Sequence, residues 1–222
     1  MRQINFAGVT AMLVAFLMTF ALAQQGGQGQ EEPREGGKGN VGRFAPGTGV
    51  NHQVWQAASD GDLSGVQAAL GQGAAINFRG KRGFTPLAIA AKNGRLEVVK
   101  YLLDHGANID QRDNDRLKTP LLAAAFSGYF EVVKCLVEHG ANVNIQAING
   151  WTPLHDAVYI GNVRISEYLV DHGTNLSLRN ERHETPRQTA ERAQYDAVRR
   201  HQTSATPADY KEIIEYIKAH EK

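Results

Sequence analysis

The sequence predicts an all-α repeat solenoid, in which helix-turn-helix units of about 33 residues stack in a line. Thr-Pro pairs begin at positions 85, 119, 152 and 185, in steps of 34, 33 and 33 residues. A second series, of the form Asp/Glu-His-Gly, begins at positions 104, 138 and 171, in steps of 34 and 33 residues. One such unit cannot bury both of its faces, so neighbouring units are expected to share a continuous core.

Each unit is predicted to contain two helices. In the first full unit, Thr85 can cap the first helix, and Pro86 lies in its first turn, where the missing N–H costs nothing. Gly94 and Gly106 are expected to end the two helices, because a left-handed residue is favoured there. The second helix has an apolar stripe at helical spacing, formed by Leu96, Val98, Val99, Leu102 and Leu103.

Five units fit this register. Three are full repeats and two are caps: residues 50–79 (N-terminal cap), 80–112, 113–146 and 147–179 (repeats 1 to 3) and 180–222 (C-terminal cap). In the last unit the second helix is expected only after an insertion around residues 201–206, with Pro207 near its start. Its predicted apolar stripe consists of Tyr210, Ile213, Ile214 and Ile217. The opposite face is polar, as a terminal cap requires for solubility.

The motif Thr-Pro-Leu-His is complete at Thr152 to His155 and degenerate in the other units. With the 33-residue period, it makes residues 50–222 resemble the ankyrin-repeat family, most specifically over residues 80–180. The resemblance implies a stack of helix-turn-helix units joined by β-hairpin loops. It also implies that a protein partner binds to the hairpin tips and to the concave first-helix face.

The N-terminal residues are predicted to precede the fold. Arg2 is followed by an apolar run from Phe6 to Leu22, which ends in a small-x-small pattern at Ala23. Residues 1–23 are therefore interpreted as a signal peptide cleaved at about Ala23, with a retained membrane anchor as the alternative. Residues 24–49 contain nine glycines and are interpreted as a disordered Gly/Gln-rich linker. The expected location is periplasmic or secreted.

The composition limits the classes of partner that the protein is expected to bind. Hydrophobic residues make up 42% of the chain, enough for a folded core. The formal net charge is +1, and a chain so close to neutral is not expected to bind nucleic acid. The single cysteine, Cys135, cannot close an intrachain disulfide and is expected to be a buried, inert thiol. The sequence predicts a monomer that binds a protein of unknown identity, without nucleic acid, cofactor, metal or, after signal cleavage, membrane.

Three histidines, His105, His139 and His172, recur at one repeat position. Metal ligation needs nitrogens within about 2.1 Å of one ion, whereas stacked helices lie about 8–10 Å apart. We therefore expect these histidines to serve the helix C-termini. His155 is expected to form local hydrogen bonds, as the resemblance implies. No nucleophile triad, phosphate-binding loop or carboxylate pair stands out in the sequence, which favours a protein that is not an enzyme.

Candidate binding residues follow from the resemblance, position by position. The tips contribute Lys81, Arg82, Phe84, Arg116, Lys118 and Trp151, and the first-helix side contributes Phe126, Tyr159 and Ile160. Exposed aromatic side chains in adjacent repeats are typical of binding hot spots. The alternative is that the aromatic side chains pack on their own hairpins and that the charged tips are merely solvated.

Among known groups, the chain resembles exported bacterial ankyrin-repeat proteins. That resemblance implies a periplasmic accessory or protective factor, associated with catalase and resistance to oxidative stress. Two alternatives stay open: an immunity protein or inhibitor that neutralises a toxin or enzyme, and an envelope scaffold or tethered spacer.

Overall fold

The computed structural model describes residues 49–200 and 205–221, without the side chains of Arg199 and Arg200. The predicted signal peptide and all but the last residue of the predicted linker lie outside these residues. None of the helices within the described ranges is both long and apolar enough to cross a bilayer.

The described residues form ten α-helices in five successive pairs. Their bounds are α1 Val50–Asp60, α2 Leu63–Gly71, α3 Pro86–Lys92, α4 Leu96–Asp104, α5 Pro120–Ser127, α6 Phe130–Glu138, α7 Pro153–Tyr159, α8 Val163–Asp171, α9 Pro186–Arg200 and α10 Pro207–His220. Helices α1, α3, α5, α7 and α9 pack in one row, and α2, α4, α6, α8 and α10 pack in a second row. Two rows of sequential neighbours make a solenoid, as the sequence predicts.

The helices begin where the repeated threonines predict. The side-chain oxygens of Thr85, Thr119 and Thr152 accept hydrogen bonds from the N–H three residues further on, at 3.1, 3.4 and 3.3 Å. Each threonine is followed by a proline at the first helical position. Gly94 and Gly106, with φ of 71° and 82°, adopt the left-handed conformation expected after the helices.

The apolar stripes predicted from the spacing form the core. In the first full repeat, Leu87 and Ala90 of α3 are fully buried, as are Val99 and Leu102 of α4. In the C-terminal cap, all four predicted apolar residues of α10 are buried, whereas Lys211 and the other polar residues of its opposite face are exposed. The continuous core therefore runs through every unit, and stability comes from stacking.

The predicted hairpin loops are tight turns, and the described residues contain no strand. Each turn is closed by a backbone hydrogen bond across its base; in the second full repeat Asp113 N–H donates to the Lys118 carbonyl at 2.9 Å. Adjacent tips are also joined by one backbone bond each, such as Ile148 N–H to the Arg116 carbonyl at 2.9 Å. Isolated bonds of this kind fix the tips without forming a strand ladder.

Candidate protein-binding surface

One contact recurs along the first-helix side of the stack. In four successive units, the residue immediately before the capping threonine contacts the residue seven positions after that threonine. Seven residues make about two helical turns, so the second position lies above the start of its helix. We call this row of contacts the ladder, and its rungs are Phe84/Lys92, Lys118/Phe126, Trp151/Tyr159 and Glu184/Arg192.

The first two rungs are cation–π contacts of opposite order. Lys92 Nζ lies 5.2 Å from the ring centre of Phe84. In the next repeat the two residue types exchange positions, and Lys118 Nζ lies 4.4 Å from the ring centre of Phe126. Such contacts contribute about 0.5–1 kcal/mol at exposed sites such as that of Lys92, and about 2 kcal/mol where the cation is largely desolvated, as Lys118 is.

The third rung is purely aromatic. The rings of Trp151 and Tyr159 meet edge to face, with centres 5.2 Å apart and planes at 74°. This geometry is favourable because the positive ring edge meets the negative ring face, and it contributes about 0.5–1.5 kcal/mol. The Trp151 ring also lies 6.2 Å from the ring of His155 below it. The third rung is therefore in contact with the buried first turn of α7.

The fourth rung is an ion pair, with Arg192 Nε 2.8 Å from Glu184 Oε1. Burial pushes the pKa of Glu184 upward, but hydrogen bonds from Arg192 and Asn180 bring it below its ordinary value. Asn180 belongs to the same turn and also receives the backbone N–H of Glu184 at 3.1 Å. The last tip is thereby tied to its own helix by charge rather than by aromatic packing.

The structure brings most of the predicted binding residues together. Arg82, Phe84, Arg116, Lys118 and Phe126 line one groove between the first two full repeats. Trp151 and Tyr159 form the rung of the third repeat, Ile160 follows Tyr159 and is half-buried, and Lys81 is exposed at the first tip. Phe126 and Tyr159 are 49% and 42% exposed, so the aromatic side chains are held by their rungs and still face solvent.

Lys118 is not a free tip cation, although the sequence suggested one. Its ammonium lies 3.1 Å from Asp156 Oδ2, and the two side chains are only 14% and 2% exposed. Burial raises the pKa of Asp156 to about 6, against the attraction of Lys118 and Arg116. Because Asp156 belongs to α7, this pair links the second and third repeats beneath the ladder.

The recurring histidines serve helix ends, as predicted. His105 Nδ1 lies 2.8 Å from the Tyr101 carbonyl, and His172 Nδ1 lies 2.7 Å from that of Tyr168, four residues earlier in each helix. Each of these two rings also stacks on that tyrosine, with centres 3.9 Å apart. An imidazole N–H thus donates to a carbonyl in the last turn of each helix; the Tyr101 carbonyl also accepts the backbone N–H of His105 at 3.2 Å.

His155 and Cys135 also have structural surroundings. His155 is fully buried; its Nδ1 lies 2.8 Å from the Thr152 hydroxyl, and its Nε2 donates to the Glu184 carbonyl at 3.1 Å. Burial lowers the pKa of His155, which favours the neutral ring. Cys135 is buried, and burial raises the pKa of its thiol, so the unreactive protonated form is favoured.

Sequence reasoning did not identify the ladder as pairs. Lys92 and Glu184 lie at first-helix and tip positions that the resemblance already implies, whereas Arg192 became a functional candidate only through its contact with Glu184. The sequence nevertheless contains a pattern that predicts the pairing. When the units are aligned on their Thr-Pro pairs, the two ladder positions hold a cation and an aromatic residue, two aromatic residues, or two opposite charges. Tips and first helices were considered as separate rows, and this hid the pairing.

Comparisons with known proteins agree with the geometry. A family model for ankyrin repeats in three copies matches residues 54–147, and one for ankyrin repeats in many copies matches residues 136–190. The chain belongs to the ankyrin-repeat family. Ankyrin repeats form protein-interaction modules, and the family is typically non-catalytic.

Curated relatives match this ankyrin-repeat protein over short stretches. An ankyrin repeat-containing protein of Schizosaccharomyces pombe is 37% identical over 62 residues, which are 28% of this chain and 30% of that protein. Alpha-latrocrustotoxin-Lt1a of Latrodectus tredecimguttatus is 44% identical over 43 residues, 19% of this chain and 3% of the toxin. Ankyrin repeat, SAM and basic leucine zipper domain-containing protein 1 of Carollia perspicillata is 40% identical over 58 residues, 26% and 12% of the two chains. The similarity therefore spans less than a third of each relative.

Proposed function

We propose that this ankyrin-repeat protein binds a protein partner through its tips and its ladder and catalyses no reaction. The centre of the surface is the second and third rungs, where Phe126, Trp151 and Tyr159 follow one another in adjacent repeats. The tips of the first two repeats, with Lys81, Arg82 and Arg116, form its charged edge.

The proposal depends on one observation: the aromatic side chains of the ladder are exposed to solvent and are also held in place by a neighbouring side chain. Phe126 and Tyr159 keep 49% and 42% of their surface exposed although each is held by a partner side chain. Side chains that are ordered before binding lose less conformational entropy on association. Large aromatic side chains are also the residues that most often dominate binding energy.

The test is to truncate the third rung with Trp151→Ala and Tyr159→Ala together. We expect capture of the partner, from an extract of the source organism on the immobilised protein, to fall by at least about tenfold. Helical circular dichroism should be retained, whereas the melting temperature should fall by a few degrees, because half-buried Trp151 loses packing area in addition to the roughly 0.5–1.5 kcal/mol of the ring contact.

The matched control is Tyr129→Ala. Tyr129 is also 42% exposed, but it lies outside the ladder, over Gly94 at the junction of α5 and α6. The control should keep the captured protein. Unfolding of the double variant would instead identify Trp151 and Tyr159 as core residues, and equal losses in the variant and the control would contradict a binding centre on the ladder.

We further propose that the protein is exported and that residues 1–23 are removed. The supporting feature is the apolar run from Phe6 to Leu22, followed by the small residue Ala23 and the polar Gln24. The expected result is an exported chain whose N-terminus, determined by mass spectrometry, is Gln24. An intact Met1 in a membrane fraction would support the retained anchor instead.

The finer proposal for an exported protein of this kind is a protective accessory role beside a catalase. It rests on the resemblance to exported bacterial ankyrin-repeat proteins. Deletion of the gene should lower survival in peroxide, and the full chain should restore it whereas the Trp151 and Tyr159 double variant should not. Unchanged survival would overturn this role without affecting partner binding. The inhibitor and scaffold interpretations stay predictions.

A further inference from the structure

A groove separates the first and second rungs of the ladder. It encloses about 180 Å³ and is lined by the first two tips and by the side chains of Lys92, Ala123, Phe126 and Ser127. Pockets for small molecules and cofactors usually hold about 300–1,000 Å³, so this groove is too small for such a ligand. Its size instead suits a side chain presented by another protein.

The exposed side chains of the groove carry more positive than negative charge. Three exposed cations, Arg82, Lys92 and Arg116, face a single exposed carboxylate, Asp115. Arg82 Nε lies 3.5 Å from Asp115 Oδ2, but the two side chains are 62% and 49% exposed, so their pairing is weak and easily exchanged. Lys92 and Arg116 have no carboxylate within 4.0 Å among the described residues.

The other two carboxylates near the groove are engaged inside the protein. Asp113 is buried, and its Oδ1 accepts the backbone N–H groups of Arg116 and Lys118 at 2.9 and 3.2 Å. Asp156 is buried and bound to the Lys118 ammonium. A ligand therefore meets the unpaired cations at the mouth of the groove, whereas these two acids hold its walls in place.

The walls are apolar where the mouth is charged. Phe84 and Phe126, members of neighbouring rungs, both line the groove, and so does the buried Ala123 of α5. Lys92 lies over the Phe84 ring with its ammonium in solvent, an arrangement that leaves the charge available to a second partner. The groove thus combines an apolar seat with cations at its rim.

We propose that this groove binds an acidic segment of the protein partner. One apolar side chain of that segment sits between Phe84 and Phe126, and carboxylates on either side of it pair with Lys92 and Arg116. The inference rests on the proposed function and names the chemistry of the partner. The attraction is local, because the whole chain has a formal net charge of only +1.

The test uses the full chain and a fluorescein-labelled peptide of six glutamates around a central leucine, with binding measured by fluorescence anisotropy. Two matched peptides carry lysines in place of the glutamates, or alanine in place of the leucine. We expect the acidic leucine peptide to bind at least about tenfold more tightly than the lysine peptide, and several-fold more tightly than the alanine peptide. Raising the salt concentration from 50 to 300 mM should weaken its binding, since exposed charges are screened.

The protein variants localise the site. Lys92→Gln with Arg116→Gln should weaken acidic-peptide binding about fivefold, and Phe126→Ala should remove the preference for leucine over alanine. The control, Lys134→Gln with Lys211→Gln, removes the same charge from exposed lysines outside the groove and should bind as the wild type does. Circular dichroism confirms that each variant is folded.

Equal binding of the acidic and lysine peptides would overturn the inference, and so would equal weakening by the groove variant and the control. Absence of acidic-peptide binding at low salt would overturn it too. These failures are distinct from failure of the proposed function. If the acidic peptide fails while the Trp151 and Tyr159 variant still loses the captured protein, only the acidic-groove inference falls.

Discussion

The helix-end histidines and the ladder are both repeated features, yet they repeat in different ways. His105, His139 and His172 keep one residue type, and each binds the carbonyl four residues earlier at 2.7–2.8 Å. The ladder keeps a contact but changes the residues: two cation–π rungs, one aromatic rung and one ion pair. A constant residue at a repeat position therefore indicates a structural task, whereas a constant contact made by changing residues indicates a surface open to specialisation.

The physical reason lies in what each side chain contacts. The last carbonyls of a helix are the same in every unit, and an imidazole N–H satisfies them in the same way. A rung has only to hold two side chains together, and cation–π, edge-to-face and charged pairs do so at similar energies of about 0.5–1.5 kcal/mol. Apart from Lys118, which also pairs with the buried Asp156, the ladder can change its residues at little cost in stability.

The largest expected effect on stability concerns His155, which is neither a helix-end histidine nor a member of the ladder. His155→Ala should lower the free energy of unfolding by about 3–4 kcal/mol, because it leaves a cavity and removes the hydrogen bonds of the ring to Thr152 and to the Glu184 carbonyl, which keeps only the Asn180 N–H as a donor. The helix-end variant His105→Ala should cost only about 0.5 kcal/mol, since its ring is exposed. Urea unfolding of both variants gives the comparison, and similar losses would contradict the distinction between the buried and helix-end histidines.

A second, smaller effect appears in the pH dependence of stability. The pKa of Asp156 rises from 3.8 to about 6 on folding, so the folded protein binds the proton more tightly. As the pH rises from about 4 to about 6, the contribution of Asp156 to the free energy of unfolding therefore falls, by about 2–3 kcal/mol in total. Asp156→Asn should remove this contribution.

The measurement is the difference in free energy of unfolding between wild type and Asp156→Asn at several pH values. Between about pH 4 and pH 6, the free energy of unfolding of the wild type should fall relative to that of the variant. His155, whose pKa burial lowers, gives the opposite slope below its ordinary pKa of 6.5, but it is present in both proteins and cancels in the difference. A difference that does not change with pH would show that Asp156 titrates as it does in the unfolded chain.

A third effect tests the register of the repeat. Gly128 ends α5 with φ of 80°, and a Cβ at this position would meet only ordinary contacts. Gly128→Val should therefore cost about 1–2 kcal/mol from backbone strain alone, because a β-branched residue is poorly tolerated at positive φ. Thermal unfolding of the variant provides the check, and a neutral effect would argue against this register.

Much of the fold was predictable because its determinants are local. A threonine followed by proline caps and starts a helix, a left-handed glycine follows its end, and apolar spacing marks the buried face. The stripe of α10 could be predicted in the same way, although an insertion precedes it. The predicted hairpin loops are, among the described residues, turns closed by single backbone hydrogen bonds without a strand ladder.

The candidate site was only partly predictable because it depends on contacts between units. Lys118 and Asp156 are 38 residues apart, and their ion pair depends on how α7 stacks beside the second tip. Spacing along one unit cannot show that a tip lysine turns inward. Phe126, Trp151 and Tyr159 could be chosen as aromatic candidates, but only the coordinates showed which side chain holds which.

The most direct test of the central claim is to exchange the residues of one rung, with Phe84→Lys and Lys92→Phe together, and to measure retention of the captured partner. The exchange rewrites the first rung in the order of the second, so the contact is kept while the surface changes. We predict a folded variant whose melting temperature is about 2–6 °C below that of the wild type, because half-buried Phe84 packs on the core, and a change in partner retention of at least about fivefold. Unchanged retention by a folded variant, or loss of the fold, would contradict the claim that the ladder keeps its contacts and varies its residues for recognition.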